Sequence, residues 1–329
     1  MTSGRPSALA SFALTALLCL IWGSTLVVIQ GGLVDLPVFG SAAARFTLSA
    51  ACMSVLGAVL AKREGGAQPT LGLSLVLGTL NFAASYGIVY WSETKLPSGL
   101  VSVLWAVFPM LQAVMGHLYL SGERLAPAQF AGFALGFAGV VALFATDLRG
   151  LGAGAVPAGL VLLLSPLVSA FGTTYVKKHC AGTSSLLLNR NAMWIGAAFL
   201  WSVALLFERQ PFRWTPRALF SLGYLSLCGT VVAFGLYFWL LRHVAANRLS
   251  VIAYVTPGVA LVLGLVIANE RIGPGTLAGL GSILGGVFLV HHGGRRSGQN
   301  GELSGAGASL ERDGTSRSSG GRSKSVHGT

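Results

Sequence analysis

The sequence predicts an all-α membrane protein with ten transmembrane helices, arranged as two inverted five-helix repeats. Hydrophobic residue types make up 53% of the 329 residues and charged types only 10%, whereas soluble domains carry roughly 25% charged residues. The apolar residues form runs of about 20, the length that crosses a bilayer core. The third feature is an internal repeat. This composition excludes a soluble two-domain protein, and alternating barrel strands are absent.

Ten segments have the length and composition of a transmembrane helix. Because backbone groups in lipid must be satisfied within the segment, we interpret each one as an α-helix. Across all ten, only Arg45 and Arg190 are charged residues that lie away from a helix end. The predicted segments are 8–31, 38–61, 70–91, 97–120, 127–146, 154–176, 184–207, 219–241, 249–268 and 274–291.

The distribution of basic residues predicts the surroundings of the chain. The net charge is +12, but Lys and Arg are scattered between apolar runs, which indicates a lipid bilayer as partner and no nucleic acid. With the N-terminus inside, fourteen basic residues fall on the inner side and six outside, which predicts cytoplasmic N- and C-termini. Residues 293–329 have almost no apolar content and predict a disordered cytoplasmic tail. Lipid binding by the tail's arginines is an alternative.

The two halves of the chain share an internal repeat. LVSVLWAVFP at 100–109 and RLSVIAYVTP at 248–257 have Ser, two Val and Pro at equal spacing. Glu-Arg pairs follow in both copies, at 123–124 and 270–271. These matches predict five-helix units at 8–146 and 154–291. Five is an odd number, so the second unit crosses the membrane in the opposite sense, as is typical of secondary transporters that alternate access to a midplane site.

Short motifs resemble the EamA-like family of the drug/metabolite transporter superfamily. They are Trp22-Gly23-Ser24, Ala44-Arg45-Phe46, Pro109 followed by Gly122-Glu123-Arg124-Leu125, and in the second copy Pro257 with Asn269-Glu270-Arg271-Ile272. The resemblance covers about residues 8–291. It implies a bacterial inner-membrane permease, often an exporter of amino acids, other metabolites or drugs. The second copy departs from the pattern at Asn269, where the family prefers Gly, and at Phe171, where it has Trp.

Arg45 is the first candidate for substrate binding. It lies about a third of the way into helix 2, where a charge costs at least ~2.5 kcal/mol on insertion scales, so it should face protein or a water-filled cavity. We interpret it as an anchor for a substrate carboxylate or phosphate; the alternative is a structural arginine that caps carbonyls of a neighbouring helix. Arg190 is a second candidate, although it is nearer a helix end and can snorkel.

Helix 4 carries a polar stripe on one face. The stripe consists of Ser98, Ser102, Trp105, Pro109 and Gln112, and helix 9 repeats it with Ser250, Tyr254 and Pro257. We expect Ser102, Trp105, Gln112 and Tyr254 to line a substrate cavity. Each proline frees a carbonyl and bends its helix, so Pro109 and Pro257 are candidate gate hinges. The alternative is that the polar side chains join packed helices.

Other polar and aromatic residues in the spans complete the predicted substrate site. They are Trp22, Ser24, Tyr86, Tyr90, Tyr175 and Trp194. Tyr86 and Tyr90 are four residues apart and share a helix face. For these aromatic residues, cavity lining and core packing both remain open.

Several absences limit the function. No Asp or Glu lies inside a predicted span, so no obvious carboxylate relays protons, and zwitterions, anions or uncharged metabolites fit better than metal cations. The sequence has no Walker-A motif, no metal-ligand spacing of cysteines and no recognised catalytic motif. We therefore expect no cofactor, no metal and no catalytic residue. The expected function is export of small organic solutes; a channel, a membrane sensor and an integral membrane enzyme are the alternatives.

Small-residue motifs predict close helix packing. Gly132-xxx-Gly136 lies in helix 5, and Gly275-xxx-Gly279 and Gly281-xxx-Gly285 lie in helix 10. Such spacings let helix backbones approach closely. Helices 5 and 10 are therefore predicted packing elements, with a possible homodimer contact.

Overall fold

The structure is a computed structural model that describes residues 8–121, 123, 125–243, 249 and 251–291. Within these residues the chain is helical, apart from connections and one isolated bridge between Ala67 and Thr183. Nine helices there are long and apolar enough to cross a membrane, and Val251–Ile267 is a further, shorter apolar helix. The predicted tail at 293–329 and Ser250 of the helix 9 stripe lie outside the described residues.

Ten helical segments follow the ten predicted apolar runs. They are α1 (Ala8–Gly32), α2 (Val38–Glu64), α3 (Leu71–Ser92), α4 (Ser98–Tyr119), α5 (Pro127–Leu143, continued by Phe144–Leu148), α6 (Ala155–His179), α7 (Ser185–Phe207), α8 (Pro216–Ser226, continued by Leu227–Val232 and Ala233–His243), α9 (Val251–Ile267) and α10 (Pro274–His291). The eighth helix begins three residues before its predicted start at 219. The reason is a cap, because the Thr215 hydroxyl accepts a hydrogen bond from the Ala218 amide and Pro216 suits the first turn.

Three segments have π-helical geometry. They are Leu77–Ser85 in α3, Phe144–Leu148 in α5 and Leu227–Val232 in α8. A π-helical turn places one extra residue in the helix and turns the following side chains, and such turns are frequent at functional sites. The apolar patterns of these helices did not predict the π-helical turns.

The two predicted proline hinges differ in structure. Helix α4 is interrupted at residues 106–107, between Ser98–Trp105 and Phe108–Tyr119, and Pro109 lies in the first turn of its second part. A proline is tolerated there because that position needs no intrahelical donor. Pro257 lies inside the uninterrupted helix α9. The sequence predicted a span at 97–120 that its proline bends; the span Ser98–Tyr119 matches these bounds, and its interruption lies just before Pro109.

Carboxylates at the ends of α2 and α7 join the two halves of the chain. Glu208, directly after α7, accepts hydrogen bonds from the Phe39 and Gly40 amides at 2.8 Å each, at the start of α2. Glu64, the last residue of α2, accepts from the Leu186 amide and from the Ser184 and Ser185 hydroxyls at the start of α7. Each acid satisfies orphan donors and complements the positive end of the helix dipole.

Glycines allow helices α5 and α10 to pack against each other within one chain. A Cβ added at Gly132 would lie 2.6 Å from the Gly286 carbonyl oxygen, and one added at Gly139 would lie 2.9 Å from the Gly279 carbonyl oxygen. Both contacts are too short for a side chain. One glycine of a predicted motif in each helix, Gly132 in α5 and Gly279 in α10, therefore lies at a close contact between the two helices.

We expect Gly286→Ala to lower the melting temperature of the purified protein. Its Cβ would lie 2.5 Å from the Gly132 carbonyl oxygen, and overpacking of this kind costs roughly 1–3 kcal/mol. The matched control is Gly281→Ala in the same helix, since a Cβ there meets nothing within 4 Å. Equal melting temperatures for the two variants would contradict the close contact.

Candidate functional site

Arg45 is completely buried inside the helix bundle. It lies seven residues after the start of α2, about 10 Å along the helix axis, and has 0% relative exposure. The sequence required this charge to face protein or water rather than lipid, and its guanidinium lies among protein groups. Its immediate neighbours come from α2, α3 and α8.

Polar and aromatic side chains surround the Arg45 guanidinium. Its Nε donates a hydrogen bond to Thr230 Oγ1 at 3.2 Å, and its Nη1 donates to the Tyr90 hydroxyl at 3.5 Å. Its Cζ lies 4.9 Å from the ring centroid of Tyr86 and 5.4 Å from that of Phe46. Cation–π contacts of this kind stabilise a desolvated guanidinium. We call Arg45, Tyr86, Tyr90, Gly229 and Thr230 the Arg45 site.

The π-helical turns position this site. Thr230 lies in the π-helical part of α8, and its hydroxyl donates to the Leu225 carbonyl at 2.8 Å, five residues earlier. The oxygen of that hydroxyl is thereby free to accept from Arg45. Tyr86 directly follows the π-helical part of α3, and Tyr90 lies one turn later. Both tyrosines follow the turn that sets their direction, and both face α2.

The guanidinium has unused hydrogen-bond donors. Its Nη2 has no hydrogen-bond partner in the described part of the chain, and Arg45 forms no ion pair with a described acid. An arginine carries five N–H donors, of which two are used here. A Cβ at Gly229 would lie 3.6 Å from Nη2, so this glycine lies directly beside the buried terminal nitrogen. Such a guanidinium can bind a carboxylate or phosphate through two parallel hydrogen bonds.

An aromatic chain connects the Arg45 site with α1. Phe46 contacts both Tyr86 and Phe82, at centroid distances of 4.9 and 5.2 Å. Phe82 contacts Phe234 at 6.3 Å, and Phe234 contacts Trp22 at 6.0 Å. The predicted residue Trp22 is thus linked to Tyr86 of the Arg45 site through three phenylalanines, Phe234, Phe82 and Phe46. These rings provide apolar surface beside a single positive charge.

Ser24 also joins α1 to α8. Its Oγ lies 2.6 Å from the Tyr224 hydroxyl and donates to the Ile21 carbonyl at 2.9 Å. Because Ser24 has one hydroxyl proton, Tyr224 is the donor between the two. The next residue, Thr25, is buried, and its Oγ1 would lie 3.6 Å from a Cβ at Gly229. α1 therefore contributes hydroxyl groups beside the Arg45 site.

The polar stripe of α4 contacts two different neighbours. Ser102 donates to the Gly99 carbonyl at 2.7 Å and to the Pro257 carbonyl of α9 at 3.5 Å. Trp105 Nε1 donates to Ser165 Oγ at 3.0 Å, and Gln112 Nε2 donates to Thr174 Oγ1 at 2.7 Å, both in α6. The interruption at residues 106–107 lies between Trp105 and Gln112. The stripe therefore joins helices through hydrogen bonds in this conformation.

A second polar layer connects α3 with α6. The Asn81 amide donates to the Ser169 hydroxyl at 2.9 Å and to the Thr173 hydroxyl at 3.0 Å. Ser85 and Ser165 lie 2.8 Å apart. Two amide oxygens in this region, Asn81 Oδ1 and Gln112 Oε1, are buried and lack a hydrogen-bond partner among the described residues. These oxygens can accept hydrogen bonds from a bound solute.

The remaining predicted site residues lie elsewhere. Arg190 donates from Nε and Nη2 to Asn191 Oδ1, at 3.0 and 2.8 Å. Trp194 is 43% exposed and donates to Ser54. Tyr175 packs on His179 at the C-terminal end of α6, at 4.4 Å. Tyr254 is partly buried and packs against the hydrophobic cluster that contains Val103 and Leu261. None of these four side chains contacts Arg45 within the described residues.

Sequence reasoning missed several residues of the site. They are Thr25, Asn81, Phe82, Tyr224, Gly229, Thr230 and Phe234. Most are uncharged residues within apolar runs, where an isolated hydroxyl or ring has no distinctive spacing. Asn81 carried a signal, since it is an amide at the centre of a predicted span. The cluster forms because α2, α3 and α8 meet, which a one-dimensional pattern does not show.

Known proteins resemble the chain along most of its length. The transporter YedA of Escherichia coli K12, described as an uncharacterized inner membrane transporter, is 27% identical over 276 residues, 83% of this chain and 88% of that protein. A probable terminal-alkyne amino-acid exporter of Streptantibioticus cattleyicolor is 27% identical over 273 residues, 82% of this chain and 89% of that protein.

A solved crystal structure shares the fold. It superposes with a TM-score of 0.61 at 19% sequence identity, covering 88% of this chain and 99% of the other. The EamA-like transporter family matches residues 10–145 and again residues 156–291. The described residues contain many apolar helices, and the relatives above are named as transporters. The chain is therefore a multi-span membrane protein that belongs to the EamA-like transporter family.

Proposed function

We propose that the chain is an inner-membrane secondary transporter that exports small organic metabolites bearing a carboxylate, such as amino acids. The observation that carries this proposal is Arg45, a fully buried guanidinium with an unpartnered Nη2. Keeping a charge inside the membrane-spanning bundle is costly. A solute carboxylate would provide the missing countercharge and two acceptors. Arg45 then acts as the substrate anchor, and Tyr90 and Thr230 orient it.

The neighbouring aromatic side chains favour a substrate with an apolar part. Tyr86, Phe46, Phe82, Phe234 and Trp22 form the connected ring contacts beside the anchor. An amino acid or a similar metabolite fits this arrangement, because its carboxylate can bind Arg45 while its apolar part packs on the aromatic rings. The relative named as a probable amino-acid exporter is consistent with this class.

We further propose that the two units, 8–146 and 154–291, form inverted repeats and alternate access by moving against each other. Reciprocal carboxylate contacts between α2 and α7 support this arrangement, because each helix ends in or beside an acid that binds the start of the other helix. Pro109 and Pro257 are the proposed hinge residues. The N- and C-termini lie in the cytoplasm in this proposal. An alternating carrier, unlike a channel or a sensor, saturates and catalyses exchange.

Transport by the purified protein in liposomes tests this proposal. We expect radiolabelled amino acids with apolar side chains to enter in a saturable manner, and an unlabelled substrate inside the liposomes to accelerate their entry. Exchange is expected because an alternating carrier returns loaded faster than empty. Empty liposomes are the control. A flux that rises linearly with concentration, without exchange, would indicate a channel instead.

Replacing Arg45 tests the substrate anchor. We expect Arg45→Lys to lower transport at limiting substrate by about 10–100-fold, because Lys keeps the charge but loses the bidentate fork, and charge-assisted hydrogen bonds contribute roughly 1.5–3 kcal/mol. The comparison variant is Arg190→Lys, whose Nε and Nη2 donate to Asn191 in the wild type. Only variants that elute as a single species with wild-type melting are compared. An unchanged substrate affinity in Arg45→Lys would remove the anchor role.

A further inference from the structure

Glu93 is a buried acid in the connection between α3 and α4. It directly follows Ser92, the last residue of α3, and has 4% relative exposure. Within the described residues, neither of its carboxylate oxygens has a hydrogen-bond partner. An ionised carboxylate is costly to bury without donors or a countercharge, whereas a neutral carboxyl costs far less. Its environment therefore favours the protonated form.

The other acids at this end of the bundle all have donors. The end is defined by the connections after α1, α3, α5, α7 and α9. Asp35 accepts from the Thr215 hydroxyl at 2.7 Å, and Asp147 accepts from the Thr276 hydroxyl. Glu208 accepts from the two amides at the start of α2. Glu270 accepts from the Ser98 and Gly99 amides at 2.6 and 2.9 Å, at the start of α4. Glu93 differs from all four.

The groups that face Glu93 do not offer a countercharge. The α9–α10 connection presents Glu270, which carries the same sign, and α1 presents the uncharged Gln30. On its own helix, Glu93 lies one turn from Tyr90. Glu93 forms no ion pair with a described base, and the neighbouring Lys95 is exposed. The C-terminal end of α3 adds a partial negative charge.

The surroundings of Glu93 raise the pKa of its carboxyl. Burial raises the pKa of the Glu93 carboxyl well above its ordinary value, and the charge of Glu270 raises this pKa further, while the backbone of Gln30 offsets part of the effect. Glu270 accepts hydrogen bonds from two backbone amides, whereas the Glu93 carboxylate accepts none from the described residues. Of the two neighbouring acids, Glu93 is therefore the one that takes up a proton.

We propose that Glu93 is a proton-binding site that links transport to proton movement. Its carboxyl holds a proton while the α9–α10 connection covers it, and it releases that proton to water when the connection moves away from α4. This coupling rests on the transporter function proposed above; proton binding alone does not. Glu93 is three residues from Tyr90, which binds Arg45, so one turn of α3 connects the proton site to the Arg45 site.

Infrared spectroscopy of the purified protein tests proton binding. In wild-type protein, we expect the C=O band of a protonated carboxyl to remain well above the pH at which an exposed glutamate ionises, and to disappear as the pH is raised further. The band should be absent in Glu93→Gln and retained in Glu208→Gln, a matched acid at the same end of the bundle. A band that persists in Glu93→Gln would overturn the assignment.

Stability measured against pH gives a second readout. A carboxyl with a raised pKa in the folded state binds more protons there than in the unfolded state, so its contribution to stability falls as the pH rises from the unfolded pKa through the folded one. We expect this fall in the melting temperature of the wild type and its loss in Glu93→Gln. A similar fall in both proteins would contradict a titrating Glu93.

Transport by the same two proteins tests the coupling. In liposomes, we expect a pH gradient to drive substrate accumulation by the wild type. Glu93→Gln should lose this accumulation and keep substrate exchange, because exchange needs no net proton movement. Accumulation by Glu93→Gln would overturn the coupling. If neither protein transports or exchanges any amino acid, the proposed function fails, whereas the infrared band still decides whether Glu93 binds a proton.

Discussion

The buried guanidinium of Arg45 constrains everything around it. A permanently charged group in a bundle that crosses hydrocarbon has to be solvated by protein, and here α2, α3 and α8 supply a hydroxyl, a phenol and two aromatic faces. These groups orient the charge but do not neutralise it. The guanidinium N–H groups that remain without a partner can bind an anion. In the described part of the chain no acid forms an ion pair with this arginine, and in the proposed function a solute carboxylate takes that place.

The helix ends show a second electrostatic principle. The described acids lie at the ends of the spans, and five of them bind amides or hydroxyls at the N-terminal end of a helix from the other half of the chain. Each contact satisfies donors that lipid and the helix itself leave open. Glu93 lacks such donors, and its burial favours a bound proton instead.

The buried guanidinium and the buried acid are both neighbours of Tyr90. The Tyr90 hydroxyl accepts a hydrogen bond from Arg45 and lies one turn of α3 before Glu93. A change of charge at either end of this short row alters the electrostatic environment of the tyrosine between them. The π-helical turn that precedes the tyrosines adds a place at which α3 can rearrange with little loss of hydrogen bonding.

The order of apolar runs determined the helical membrane class, the number of segments and their approximate ends, because a bilayer requires about 20 apolar residues per crossing. The cost of an intramembrane charge also made Arg45 the first candidate residue. Glycine spacing predicted that α5 and α10 pack closely, and the structure shows their backbones in contact.

Other features depend on how distant segments meet. Thr230 binds Arg45 across 185 residues of chain, and Glu270 binds the start of α4 across 172 residues, so no local pattern could pair them. The π-helical turns leave no signal in the apolar periodicity of α3, α5 and α8. Glu93 appeared from sequence as an ordinary acid in a connection. Its carboxyl is buried only when α1, α3 and the α9–α10 connection come together, and this burial favours the protonated form. Solvation depends on the assembled surroundings of a residue and not on the residue type.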